Sequence, residues 1–365
     1  MATQTNLSPN DSYPRRVLIV RVGAMGDVLH ALPAAAALRA LHPDWRIDWA
    51  IEPRWRPLLQ ADGGVSEPFE RGPAMPVVDR TYLAATRAWR QHPLSRTTMR
   101  DIASLRRELL AERFDLCVDM QGSIRSAVIG KMSGAERLAG PAEPREGPAR
   151  WLYSQRIREH AIHIVEQGCE LLGGAVGEVL NPAKVALPID EVAEETSDVL
   201  LERTLRHGEA FVIIAPTAGW GAKEWPAERY GRVAAELARN GYLILVNGAS
   251  TNDSSAEAVV EASGGSAIAV PCSLAELIAL TRRAKLVIAG DTGPLHLAAA
   301  LETPVVGLFG PTDPSRNGPY GTRSRVLRHA TSQRDHSRRS ETEQGLMQIT
   351  SDEVIVAALE LLEIE

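Results

Sequence analysis

Short apolar runs rich in β-branched residues alternate with longer amphipathic stretches along most of the chain. The first run, residues 15–22 (RRVLIVRV), leads into Gly23-Ala24-Met25-Gly26-Asp27 and then a helical pattern over 28–41 with apolar residues on a broad face. Strands buried on both faces read as continuous apolar runs, so strand, glycine turn and helix predict the opening unit of a parallel sheet. Residues 47–51 and 116–119 are further predicted strands, with helices over 98–112 and 162–172. The pattern restarts after a proline-flanked segment, 181–188. Strands are predicted at 211–215, 242–246, 286–289 and 305–309. Pro226 suits a first helical position and Gly241 a helix stop. Ser273 and Glu276 have capping-box spacing ahead of the strand at 286.

This alternation in both halves predicts an α/β protein of two doubly wound domains facing across a cleft. The expected boundaries are 15–182 for the N-terminal domain and 183–349 for the C-terminal one. Residues 1–14 are expected to form a disordered tail. The helical pattern over 350–365 is expected to pack back near the N-terminal domain. Ligands of open parallel sheets bind beyond the carboxyl ends of the strands, so the loops after each strand are where chemistry is expected.

A length of 365 residues suits two domains. The net charge of -6 argues against a nucleic-acid partner, whose footprint is normally basic. Cys117, Cys169 and Cys272 make no close pair, which favours buried thiols in a reducing cytosol over zinc or disulfides. The first residues lack the apolar core of a signal peptide, and no run of about eighteen apolar residues occurs. A cytoplasmic protein is expected, able to work at a membrane surface.

Four loops carry candidate chemistry. Asp27, after the first strand, is either a helix cap, which Asp favours, or a carboxylate at the cleft mouth. The glycines before it make only G-x-x-G, not the dinucleotide fingerprint. In 216–226 (PTAGWGAKEWP), the backbone after Thr217 can line an anion site and Lys223 can supply a point charge; the bland alternative is a surface lysine in a turn. It is not a Walker loop. In Gly290-Asp291-Thr292-Gly293-Pro294-Leu295-His296, Thr292 and Gly293 can present N–H groups to a diphosphate at a helix N-terminus. Asp291 can cap or bind a sugar hydroxyl, and His296 taken alone reads better as a packed core histidine. Turn chemistry accounts for most of 310–314.

Arginine is concentrated between Arg80 and Arg107 against the single acid Asp101, which suggests an anionic partner. Solvated helix faces account for Arg106 and Arg107. A second concentration, 323–339, reads as a mobile loop. No D-x-D pair occurs, so no metal is expected on a sugar diphosphate, and Lys223 and helix N-termini would neutralise the leaving group.

Taken together, RVLIVRVGAMGDVLHALPA (16–34), DMQG (119–122), HIVEQGCELLG (163–173), KEWP (223–226), GDTGPLHLAAAL (290–301) and PVVGLFGPTDP (304–314) resemble glycosyltransferase family 9, the lipopolysaccharide heptosyltransferases. The segments TRAWR (86–90) and GLMQIT (345–350) are most similar to the heptosyltransferase I type. The resemblance implies the GT-B architecture: two Rossmann-like domains, acceptor on the first and nucleotide sugar on the second. It implies inverting, metal-independent transfer of heptose from ADP-L-glycero-D-manno-heptose to Kdo-lipid A, with no cofactor. Asp27 corresponds to the catalytic base. Thr217, Ala218, Lys223, Asp291, Thr292, Gly293 and His296 correspond to donor-binding residues. Ser250 stands where relatives carry an acid for the donor ribose, with Asp253 a substitute. Arg21, Gly26, Arg87, Arg90, Gln121 and Arg125 are implied on the acceptor side, Arg21 standing where lysine is common. The anionic, lipid-linked acceptor implies peripheral contact with the cytoplasmic face of the inner membrane. Two rival readings keep both domains: another GT-B transferase or epimerase of surface polysaccharides, and a non-catalytic sugar-nucleotide binder.

Overall fold

The computed structural model of the chain describes residues 15–62, 71–206, 209–248, 253–335 and 341–363. The predicted tail, 1–14, and Ser250 lie outside the described residues. The N-terminal half runs β1 (Arg16–Val20), α1 (Met25–Leu41), β2 (Arg46–Ile51), β3 (Arg80–Leu83), α2 (Thr86–Gln91), α3 (Arg96–Ala111), β4 (Leu116–Asp119), α4 (Ile124–Met132), β5 (Arg137–Pro141), β6 (Gln155–Ile157) and α5 (Ile164–Val176). The C-terminal half runs α6 (Glu191–Thr204), β7 (Ala210–Ala215), α7 (Ala227–Arg239), β8 (Tyr242–Gly248), α8 (Ser254–Ala262), β9 (Ala267–Pro271), α9 (Leu274–Arg283), β10 (Leu286–Gly290), α10 (Gly293–Ala300), β11 (Val305–Phe309), α11 (Pro314–Asn317), β12 (Ser324–Arg328) and α12 (Ser351–Leu362).

Each half holds one six-stranded sheet, ordered β3-β2-β1-β4-β5-β6 and β12-β11-β10-β7-β8-β9. Both are parallel throughout, and read from β1 and from β7 they have the same doubly wound order. The order reverses between β1 and β4 in the first sheet and between β7 and β10 in the second. Those reversals open a crevice at the strand ends, which is where such sheets take ligands. The apolar runs explain the strands: Val17 to Val20, Val212 to Ala215 and Leu286 to Ala289 are buried, with helices on both faces.

One apolar cluster belongs to both halves. Leu29, Leu32 and Leu38 of α1 and Leu58 join Leu277 and Ile278 of α9 and Leu297 of α10. The halves are therefore seated on each other through α1, rather than strung on a linker.

Three expectations are corrected. Helix α12 does not pack near the N-terminal domain: Val354, Ala357, Ala358 and Leu361 complete the core around Val212, Ile288 and Val306, because its apolar face fits the uncovered side of the second sheet. The arginine-rich segment 323–339 is not a mobile loop throughout. Residues Ser324–Arg328 form edge strand β12 along β11, with Arg325 Nε 2.8 Å from Glu360; residues 336–340 lie outside the described ones. Pro226 is the N-cap of α7 rather than its first residue, so the helix starts at Ala227, one residue later than predicted.

Candidate active site

Three of the four candidate loops emerge at the two sheet reversals, and the fourth, 310–314, follows β11 beside them. The loop after β1 carries Arg21 to Asp27, and the loop after β4 carries Gln121. The loop after β7 carries Thr217 to Lys223, and the loop after β10 carries Asp291 to Gly293.

Asp27 sits at the third residue of α1, so it is not the cap residue that its type alone would favour. Its Oδ2 accepts from Ala24 N at 2.9 Å, reaching back over the first turn. Its Oδ1 lies 3.0 Å from Arg21 Nη2, and the side chain stays 38% exposed at the cleft. Arg21 is anchored in turn by donating from Nη1 to Met120 O. Gln121 holds the same turn from the β4 side, its Oε1 accepting from Val22 N at 2.9 Å. Buried Asp119 fixes that neighbouring loop, accepting from Ser126 Oγ at 2.9 Å and Tyr153 Oη at 2.7 Å.

On the other side, Lys223 Nζ lies 2.6 Å from Asp291 Oδ2 and donates to Asp291 O at 3.0 Å. An ammonium has three protons, so one remains for a ligand. Asp291 Oδ1 lies 2.9 Å from His296 Nε2. Burial opposes ionisation of Asp291, but His296 and Lys223 outweigh it and hold the carboxyl well below its ordinary range. Thr292 caps α10 and Gly293 begins it, leaving N–H groups of the first turn for an anion. Among the described residues the buried hydroxyl of Thr217 has no hydrogen-bond partner, and neither has that of Thr312 after β11. Ala218 lies half-buried beside Thr217.

The two sides touch. A Cβ on Gly26 would lie 2.8 Å from His296 Cδ2, and one on Gly293 would lie 2.4 Å from Met25 Sδ. Only glycine allows the first turns of α1 and α10 to approach so closely. Asp27 is thereby carried to the edge of the Lys223–Asp291–His296 cluster.

Other predicted residues stand apart from this centre or do another job. Arg87 and Arg90 project from α2 and Arg125 from α4, all exposed. Arg80 pairs with Glu112 at 2.6 Å. Asp253 is the N-cap of α8, its Oδ1 accepting from Ser255 N at 3.0 Å.

Four residues were missed. His30 joins His296 across the domain boundary, His30 Nε2 lying 3.1 Å from His296 Nδ1. His163 packs edge-on against His30 and tilted against Tyr320. Arg316, on α11, feels Asp27 and Arg21 across the cleft, and burial, with Arg334, lowers its pKa. Burial and Glu170 push the Glu159 carboxyl up to about 7, against Arg316 and Arg21. The one sequence signal was spacing: His30 follows Asp27 by three residues, on the same helix face. Among the described residues no group of three or more His, Cys, Asp or Glu is arranged to hold a metal ion, and no helix is long and apolar enough to cross a membrane.

Two sheets of this order facing across such a cleft define the GT-B class. Residues 102–347 match the description "Glycosyltransferase family 9 (heptosyltransferase)". The chain belongs to that family and is a glycosyltransferase. It is 30% identical over 321 residues to lipopolysaccharide heptosyltransferase 1 of Salmonella typhimurium, covering 84% of this chain and 92% of the relative. Its fold is similar to E. coli heptosyltransferase WaaC with ADP, with a TM-score of 0.74 and 25% identity over 95% of this chain and 99% of that one. WaaC with ADP-2-deoxy-2-fluoro heptose is similar to the same degree, at a TM-score of 0.72, 25% identity, and 94% and 99% coverage. The family 9 transferase from Veillonella parvula shares the fold at a TM-score of 0.79, with 20% identity over 95% and 97% of the two chains.

Proposed function

We propose that the chain is a heptosyltransferase I, moving L-glycero-D-manno-heptose from its ADP conjugate to the Kdo-lipid A inner core with inversion and without a metal. The observation that carries this reading is the contact of Gly26 with His296, which sets the Asp27 turn beside the Lys223–Asp291–His296 cluster. A base and an anion site so joined suit a single in-line displacement. The acceptor hydroxyl oxygen attacks the anomeric carbon and gives its proton to Asp27. The bond from that carbon to the diphosphate oxygen breaks on the opposite face. Charge grows on the departing ADP, where Lys223 and the N–H groups opening α10 stabilise it. The missing D-x-D pair supports metal independence, since Lys223 supplies the positive charge. The named relatives and the ADP-bound WaaC complexes support the donor.

Nucleotide choice is tested by thermal shift with ADP, UDP and GDP. ADP is expected to raise Tm by binding the native state alone; at about 100 times Kd the gain is about 2.7 kcal/mol. Stabilisation by UDP but not ADP would defeat the assignment.

We also assign the α2–α3 corner to the surface of the anionic inner membrane, on its cytoplasmic side. Arg87, Arg90, Arg96 and Arg100 are exposed there, alongside Leu94 at 89% and Met99 at 64% exposure. Basic groups around projecting apolar side chains suit a lipid interface. The protein is expected to sediment with vesicles containing phosphatidylglycerol at low salt and to release at high salt. Equal binding to neutral vesicles, or none to either, counts against this.

A further inference from the structure

His30 takes no part in the transfer just described, yet it is among the most constrained side chains of the cleft. It lies on α1 one turn beyond Asp27 and is only 8% exposed. Three contacts run from it to the cation of the opposite half. His30 Nε2 is 3.1 Å from His296 Nδ1, His296 Nε2 is 2.9 Å from Asp291 Oδ1, and Asp291 Oδ2 is 2.6 Å from Lys223 Nζ.

The proton positions along this relay follow from its chemistry. An ionised carboxylate can only accept, so His296 Nε2 carries a proton toward Asp291. Burial lowers the His30 pKa well below its ordinary value; His296, Arg21 and His163 act in the same sense, and Asp291 opposes them. His30 is therefore a neutral imidazole with one N–H. The facing nitrogens share one proton. In a neutral His296 whose Nε2–H faces Asp291, Nδ1 is left as an acceptor, and in that tautomer His30 Nε2–H is the donor.

We propose that His30 is a positioning residue: by donating across the domain boundary it fixes the tautomer and rotation of His296, and through Asp291 the direction in which Lys223 offers its remaining N–H to the donor diphosphate. The inference rests on the reading of Lys223 as the diphosphate ligand. It also means that a hydrogen bond, added to the close packing of α1 on α10, links the helix bearing Asp27 to the loop bearing Lys223's anchor. Outer-shell partners that orient a histidine typically contribute about 10-fold to 100-fold to function in metal sites, and a similar scale is expected here.

The test compares His30→Phe, which keeps a ring without a donor, with His30→Gln, whose amide N–H reaches a similar position. For His30→Phe, kcat/KM for the nucleotide sugar is expected to fall about 10-fold to 100-fold while KM for acceptor holds. His30→Gln is expected to recover most of the loss. Nitrogen-15 spectra of histidine-labelled protein are expected to show His296 as the Nε2–H tautomer in wild type and His30→Gln, and as a tautomer mixture in His30→Phe. Wild-type turnover in His30→Phe, equal loss in both variants, or an unchanged His296 tautomer would overturn the proposal. Should His30→Phe fail to fold, the wild-type spectrum decides: a proton on His296 Nδ1 refutes the assignment. If ADP fails to stabilise even the wild type, the donor reading falls. If ADP stabilises wild type and His30→Phe alike with full turnover, His30 alone loses its role.

Discussion

Asp27→Asn is expected to fold, to bind ADP as the wild type does, and to transfer heptose about 10²–10⁴ times more slowly. The amide oxygen can still accept from Ala24 N, so the first turn of α1 is preserved. What is lost is the carboxylate proposed as proton acceptor and its ion pair with Arg21. That pair is half open to water, and exposed pairs contribute only about 0–1 kcal/mol, so the variant should be nearly as stable as wild type. Single-turnover release of ADP in the presence of acceptor separates the outcomes. Full-rate transfer would remove Asp27 from the mechanism, and a non-catalytic binder would be indifferent to the change.

Asp291→Ala should have the largest effect on stability. It leaves Lys223 and His296 without the carboxylate that both contact, and breaking a buried pair from one side typically costs about 3–5 kcal/mol. Urea midpoints measure this, and the ADP-induced rise in Tm should vanish with it. Adding Lys223→Met should return part of the loss, because the uncompensated charge is then gone. The pH dependence has a defined sign. The folded-state pKa of Asp291 is depressed, so its contribution is present above the unfolded value of about 3.9 and is lost as pH falls from there toward the folded value. Wild type should therefore lose stability on the acid side more steeply than Asp291→Ala. Parallel acid limbs would show that the pairing does not stabilise the fold.

The central strands and the loops that follow them were legible because buried parallel strands leave unbroken apolar runs, as in 17–20 and 286–289. The Ser273–Glu276 capping box was legible for a local reason, and both of its hydrogen bonds form. Edge elements were not. Strand β12 reads SRVLR and is largely exposed, so it carries no apolar run. Strand β6 has three residues, and β5 ends in Gly-Pro, both poor strand signals. The placement of α12 was illegible for a different reason: an amphipathic helix shows which face is buried, never which sheet receives it.

Within the site, the motif loops were readable and the links between them were not. His30 and His296 are 266 residues apart, and nothing local to either announces a hydrogen bond. Arg316 lies just beyond the 310–314 turn, and no motif singles it out. Asp253 shows a local use that its type predicts equally well: one carboxylate oxygen accepts from two N–H groups at the start of α8. Side-chain supply is written locally, whereas the meeting of groups from two domains depends on how α1 seats on α9 and α10.

That seating restricts how the enzyme can be re-engineered. Leu277, Ile278 and Leu297 come from the C-terminal half yet are walled by side chains of the N-terminal half. A hybrid made by grafting another C-terminal half onto this N-terminal half would have to bring matching side chains on two helices, or expose an oily seam. Either lobe is thus inherited together with a fitted joint, and is more readily altered by changing its loops than by exchanging it whole.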